Sequence, residues 1–259
     1  MSLLPRIKRA LQTRRNAANP LIRFGVSSIY AARDLASATK QFFADPKYRS
    51  LVLLKVLNPG VHQTTVVTWM NRYPAIFTSC RAYFGSQSDV RILSYGCSTG
   101  EEVLTLREYF PSAFITGAEI NPRSLAICRK LQVDGRIAFV HSDRKTIRDH
   151  GSYDAIFCMA VLQRTPHLIE QMGVESLKKI YPFEKFDRQI SELDAVLNVN
   201  GLLVIHHAHY LLADAEVAAR YQPLEGVDQE VSRGPKFGKD SARLPEVVTT
   251  GSIFIKRRG

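Results

Sequence analysis

Between Arg91 and Glu102 the chain reads RILSYGCSTGEE, an apolar run followed by a turn of small residues and then two acids. Gly96 and Gly100 bracket Cys97, Ser98 and Thr99, and Glu101 and Glu102 follow at once. Glycines let a backbone approach a ligand closely and take conformations closed to other residues. Where such a loop joins a strand to a helix, the helix start also offers free amide donors. Phosphate is the usual ligand of that arrangement. Here the two glutamates suit the helix dipole but would repel a pyrophosphate. Neither a GxGxxG dinucleotide pattern nor a GxxxxGK[ST] phosphate loop is present.

A ligand with a nucleoside and an amino-acid tail, but no phosphate, fits these residues better. FITGAE ends in Glu119, placed to accept both ribose hydroxyls, and Ile120 follows it. FVHSD ends in Asp143, where a carboxylate can meet an adenine amino group. A glycine loop, a ribose acid and an adenine acid on successive strand ends describe an S-adenosylmethionine pocket. Methyl transfer is an in-line displacement, which needs alignment and, for a hydroxyl nucleophile, a base. His206-His207-Ala208-His209 leaves the fifth strand at the edge where an acceptor should sit. His206 and His209 are the candidate general bases. They read equally well as packed or solvated histidines. A metal bound by His207 and His209 has no complete ligand set, and no metal is expected.

Elements that alternate strand and helix must position these groups. Strands are expected at Arg91–Tyr95, Phe114–Glu119, Ile137–His141, Tyr153–Met159, Leu202–His207 and in the closing SIFIKRR. Helices are expected at 101–109, 122–131 and 184–197. Repeated βα units imply an α/β, Rossmann-like, doubly wound sheet of seven strands, the last antiparallel. Upstream the periodicity is helical: residues 2–15, 29–43, 47–57, 64–72 and 74–84. His62, Trp69 and Tyr73 in VHQTTVVTWMNRYP read either as a lid over substrate or as packing. The expected division is a basic helical cap over 1–85 and a catalytic domain over 86–259.

Charge follows the same division. Residues 1–81 hold 13 Lys/Arg and only two acids, Asp34 and Asp45, whereas residues 82–259 hold 22 of each sign. The net charge of +11 therefore sits in the first third. Helix 2–15, apolar on one side and rich in arginine on the other, reads as docking on an anionic membrane surface or as a solvated cap. Nucleic acid is disfavoured, because no RNA-binding motif accompanies the charge. Cys80, Cys97, Cys128 and Cys158 have no CxxC spacing and read as reduced thiols. No apolar stretch reaches membrane-spanning length. Cytoplasmic localisation is expected, with peripheral attachment at the membrane face.

Residues 90–259 resemble a Rossmann-type, class I S-adenosylmethionine-dependent methyltransferase. LSYGCSTGEE is most similar to the glycine loop of the chemotaxis receptor methyltransferases, YDAIFCMAVLQRTP to their fourth-strand segment and LNVNGLLVIHHAHYLL to their fifth strand. The resemblance implies that Gly96, Cys97, Ser98 and Gly100 line the methionine part, with Glu101 nearby. It places Glu119 at the ribose, Asp143 at the adenine and Met159 near the cofactor. Two departures stand against receptor glutamates as substrate. Only one helix fits between Ile120 and Arg136, where chemotaxis enzymes carry a β-subdomain, and Met159-Ala160 replaces their Arg-Asn pair. The expected reaction is O-methylation of a hydroxyl on a sugar, lipid-linked glycan or other small molecule. Protein carboxyl methylation, RNA methylation and a non-catalytic binding module are the alternatives.

Overall fold

The computed structural model describes residues 19–58, 60–63, 65–227, 234–245 and 251–259. The expected helix over 2–15 lies outside them. The chain divides into two compact units, Met1–Leu53 and Leu54–Gly259. The described helices begin with α1 (Pro20–Ala44) and α2 (Pro46–Leu57). On α1, Phe24, Leu35 and Phe43 stay at the surface while Val26 is buried. No described helix is long and apolar enough to cross a membrane.

In the second unit α3 (Pro74–Phe84) precedes β1 (Arg91–Tyr95), α4 (Glu101–Tyr109), β2 (Phe114–Glu119), α5 (Pro122–Cys128) and β3 (Ile137–His141). Then follow α6 (Arg144–Asp149), β4 (Tyr153–Met159), α7 (Pro166–Gln171), α8 (Phe183–Asp194), β5 (Leu197–His206), β6 (Tyr221–Pro223) and β7 (Ile253–Lys256). The strands form one seven-stranded sheet in the order β3-β2-β1-β4-β5-β7-β6. β1 to β5 pair in parallel, and β7 runs antiparallel between β5 and β6. This is a Rossmann-like, doubly wound α/β fold. The strand order reverses between β1 and β4, where such sheets bind ligands beyond the strands' carboxyl ends.

Parallel strands covered on both faces need apolar residues at nearly every position, and β1, β2 and β4 are buried almost throughout. One face packs Ile92, Phe157 and Val204 against Ile76, Phe77 and Cys80 of α3 and Val103 and Leu106 of α4. The other packs Leu93, Ile156 and Leu203 against Phe183, Phe186, Ile190 and Leu193 of α8.

Several boundaries differ from the sequence expectation. The domain start expected at 86 moves upstream to 54, because α3 is part of the second unit's core: Ile76, Phe77 and Cys80 are wholly buried. No helix forms over 65–72. Its β-branched run, Thr65-Val66-Val67-Thr68, loses side-chain freedom in a helix. Instead the Asn71 amide donates to Thr105 Oγ1 at 2.9 Å, the Tyr109 hydroxyl donates to Asn71 Oδ1 at 3.0 Å, and the Arg72 guanidinium lies over the Trp69 ring. β5 begins at Leu197 rather than Leu202, with an irregularity against β4 between Tyr153 and Ala155. The seventh strand is the three-residue β6.

Candidate functional site

The glycine loop crosses from β1 to α4 in a conformation that only its residue types allow. Gly96 and Gly100 have φ of 77° and 102°, in the left-handed region. A Cβ would lie 2.5 Å from Val161 Cγ2 at Gly96 and 2.6 Å from Leu131 Cδ1 at Gly100.

The loop's amides are spent on β2. The N–H groups of Gly96 and Cys97 donate to the Ala118 carbonyl at 2.8 and 3.1 Å, and that of Gly100 to Cys97 O at 3.0 Å. The Ser98 N–H donates to Glu119 Oε2 at 2.8 Å. A phosphate cradle needs those amides free, so the loop's job is to present Glu119. From the other side the Asn121 N–H donates to Glu119 Oε1 at 2.7 Å, and the Ile120 amide also bonds the carboxyl. Burial raises the Glu119 pKa, and these amide hydrogen bonds work against it. Asn121 caps α5, accepting from the Arg123 N–H at 2.9 Å, which fixes the backbone behind Glu119.

Three carboxylates therefore surround the loop. Glu102 accepts from the Ser94 hydroxyl at 2.6 Å; burial lifts its pKa to about 7, against that bond and the charge of Arg72. Glu101 accepts from Thr99 Oγ1. Acids in this number suit a cationic ligand. The Ser98 hydroxyl is buried in the loop without a hydrogen-bond partner among the described residues, a donor left for a ligand. These groups fit a sulfonium-bearing nucleoside with an amino-acid tail: a carboxylate for the ribose, acids for the positive charges and a small-residue floor. Cys97 is no nucleophile. Its thiol shares a hydrogen bond with Cys128 and is buried, and both effects hold it protonated.

Asp143 has a structural employment the sequence reading did not foresee. It caps α6: Oδ1 accepts from the Thr146 N–H at 2.9 Å, and Oδ2 from Thr146 Oγ1 at 2.7 Å and His141 Nδ1 at 3.0 Å. The Thr146 bonds hold its pKa well below the ordinary range. The cap accounts for both oxygens without an adenine.

The two candidate bases do not converge. Alternation along β5 puts His206 on the α3 side, beside Met159, its register partner on β4. Its ring lies 4.8 Å from Tyr73 and 4.0 Å from His207, and its Nδ1 lies 2.8 Å from Ser252 Oγ. Burial, with help from the charges of Lys236 and Arg72, lowers its pKa to about 3. A base that weak accepts an alcohol's proton poorly. His209 lies on the other side, its Nε2 3.1 Å from Arg164 O and its Nδ1 3.4 Å from Pro235 O. Both nitrogens face carbonyls, so it ties the exit of β4 to the β5 loop. The base assignment to these histidines gives way to packing and tying roles, and Glu102 is the titratable group held near neutrality.

His62, read from sequence as either lid or packing, is buried. Its Nδ1 lies 2.6 Å from the Tyr181 hydroxyl and its Nε2 3.2 Å from Gln189 Oε1, which also accepts from the Tyr95 hydroxyl at 2.7 Å. Arg164, Tyr181 and Lys185, which gather around it, carried no sequence signal, since they are single residues on separate elements. Among the described residues no group of three or more His, Cys, Asp or Glu is placed to hold a metal. Between β2 and β3 lies only α5, with no β-subdomain of the chemotaxis kind.

Over 99 residues the chain is 30% identical to an uncharacterized protein of Synechococcus sp.; the match spans 36% of this chain and 24% of that protein, about a quarter of the relative's length. Among solved structures it is similar to an S-adenosylmethionine-bound amino-pentose methyltransferase from Micromonospora echinaspora, at 16% identity and a TM-score of 0.40, covering 74% of this chain and 78% of that one. It is also similar to the plantazolicin methyltransferase solved with S-adenosylhomocysteine, at 16% identity and a TM-score of 0.38, covering 66% and 58%. Residues 92–181, from β1 to the threshold of α8, match the family model described as a methyltransferase domain.

Proposed function

We propose that the chain is an S-adenosylmethionine-dependent methyltransferase that acts on a hydroxyl of a small molecule, a sugar or a lipid-linked glycan. The observation that carries the reading is Glu119, clamped by the amides of Ser98 and Asn121 at the end of β2, beside a glycine loop whose Gly96, Cys97, Ser98 and Gly100 amides are already engaged within the fold. When bound, S-adenosylmethionine supplies an electrophilic methyl group on a sulfonium. The chain's own residues bind and orient. Glu119 takes the ribose hydroxyls, Glu101 and Glu102 lie at the positive tail, and the Ser98 hydroxyl donates to the tail carboxylate. Met159, at the end of β4, lies near the cofactor. Alignment of an acceptor over that edge supplies most of the acceleration.

The absence of a β-subdomain between β2 and β3 favours this acceptor class over protein glutamates. The reading extends to place: the basic, N-terminal part of the chain docks the enzyme on an anionic membrane surface from the cytoplasmic side. Its excess of 13 Lys/Arg over two acids and the apolar residues on the surface of α1 support this. Calorimetric titration with S-adenosylhomocysteine tests the cofactor assignment. Wild type should bind it, and Glu119→Ala should lose at least tenfold in affinity. No binding by the wild-type chain would sink the enzyme reading and leave a binding module.

A further inference from the structure

On the face of the sheet opposite His206, beyond the exits of β4 and β5, basic groups gather around one buried ring. Tyr181 is wholly buried. The Lys185 ammonium lies 5.9 Å from its ring centroid, the His62 ring stands edge-on at 5.6 Å, and the His209 ring at 6.4 Å. Arg164 joins them from the β4 exit, its carbonyl 3.1 Å from His209 Nε2. Arg164 forms no ion pair with any described carboxylate, and its Nη1 is buried without a hydrogen-bond partner among the described residues. The charges act on each other. Burial together with Lys185 and Arg164 lowers the His62 pKa to about 4, and burial together with Arg164 lowers that of Lys185 to about 8.

A guanidinium with a buried, unsatisfied donor is costly to hold unless an anion completes it, and the Lys185 ammonium, which donates to the Val61 carbonyl at 2.7 Å, adds positive charge to the same region. The polarity is the reverse of that at the glycine loop, where Glu101, Glu102 and Glu119 gather. The position is also distinct: Arg164 lies five residues past Met159, beyond the carboxyl end of β4. We propose that Arg164 and Lys185, backed by Tyr181 and His62, seat a doubly charged anionic group of the methyl acceptor, a phosphate monoester by chemical class. Two cations balance a phosphate monoester's charge of roughly −1.5 to −2 at neutral pH, and the guanidinium fork suits its oxygens. This rests on the methyltransferase reading, of which it names the substrate class.

The test titrates the full chain, saturated with S-adenosylhomocysteine, with inorganic phosphate and separately with acetate, following heat or the melting temperature. Wild type should bind phosphate at least tenfold more tightly than acetate. Arg164→Gln should weaken phosphate binding at least tenfold and Lys185→Gln several-fold, with S-adenosylhomocysteine affinity as the control for folding. If Arg164→Gln does not fold, Arg164→Lys keeps the charge but loses the fork and should still weaken phosphate several-fold. Equal phosphate binding by wild type and the folded variants, or acetate bound as tightly as phosphate, overturns the proposal. Loss of S-adenosylhomocysteine binding by wild type with phosphate binding intact would strike the methyltransferase reading instead.

Discussion

Glu102 stands at the first turn of α4, with its carboxyl 2.6 Å from the Ser94 hydroxyl and under the influence of Arg72. Burial outweighs both and lifts its pKa from 4.5 to about 7. The sign follows directly. Between pH 4.5 and 7 the folded chain holds a proton that the unfolded chain has released, so this group's contribution to stability falls as pH rises through that window. Above pH 7 a buried charge remains that only a cationic ligand relieves fully. Glu102→Gln should therefore melt at a higher temperature than wild type at pH 8 and at nearly the same temperature at pH 5, where the two side chains are close in shape and charge. Wild type should also gain affinity for S-adenosylmethionine between pH 6 and 8, and the variant should not. A variant less stable than wild type at pH 8 would show that the carboxylate is held by favourable interactions outweighing its burial.

At the scale of elements, α3 illustrates where charge misleads and packing decides. The excess of basic residues runs to Arg81 and suggested a boundary near 85. Yet Phe77 lies 5.5 Å from Tyr109 and 5.8 Å from Phe157, ring to ring, inside the layer that covers β1 and β4. Phe77→Ala should cost about 3–5 kcal/mol, which for a domain of this size lowers the melting temperature by on the order of 10 °C. A loss under 1 kcal/mol would return α3 to an appended cap. The strands that build the site were legible because central parallel strands are nearly continuous apolar runs: β1, β2 and β4 stand at their expected ends, as does the edge strand β3. β6 was not, since three residues including Pro223 carry no periodicity. The segment 65–72 misled because apolar spacing suggested a helix that its β-branched residues oppose. At the site, the glycine loop's positive-φ turn and its closeness to Glu119 follow from residue type and spacing. That Asp143 would also cap a helix, and that His206 and His209 would face opposite sides of the sheet, depend on partners such as Thr146 and Arg164 that only folding brings together.

For the molecule as a whole these buried groups set a pH profile, because they do not all pull the same way. Burial holds His62 at about 4 and His206 at about 3, and it lowers His209 as well. The unfolded chain protonates its histidines near about 6.5, so between those values it binds protons that the folded chain refuses. Their stabilising effect is complete above pH 6.5 and is lost as pH falls. Glu102 opposes them between pH 7 and 4.5, and Glu119, raised in the same direction, joins it, so two groups stand against three. The net slope below pH 6.5 is therefore acid-destabilising, with the melting temperature falling towards pH 4.5. His62→Gln, which keeps a donor and an acceptor beside Tyr181 and Gln189, should be less stable at pH 7 yet have a shallower slope between pH 6.5 and 4.5; His206→Gln should do likewise. Melting curves at half-unit intervals decide it. An unchanged slope in both variants would mean that those rings take up protons in the folded chain, and with them the basicity that the structure denies His206.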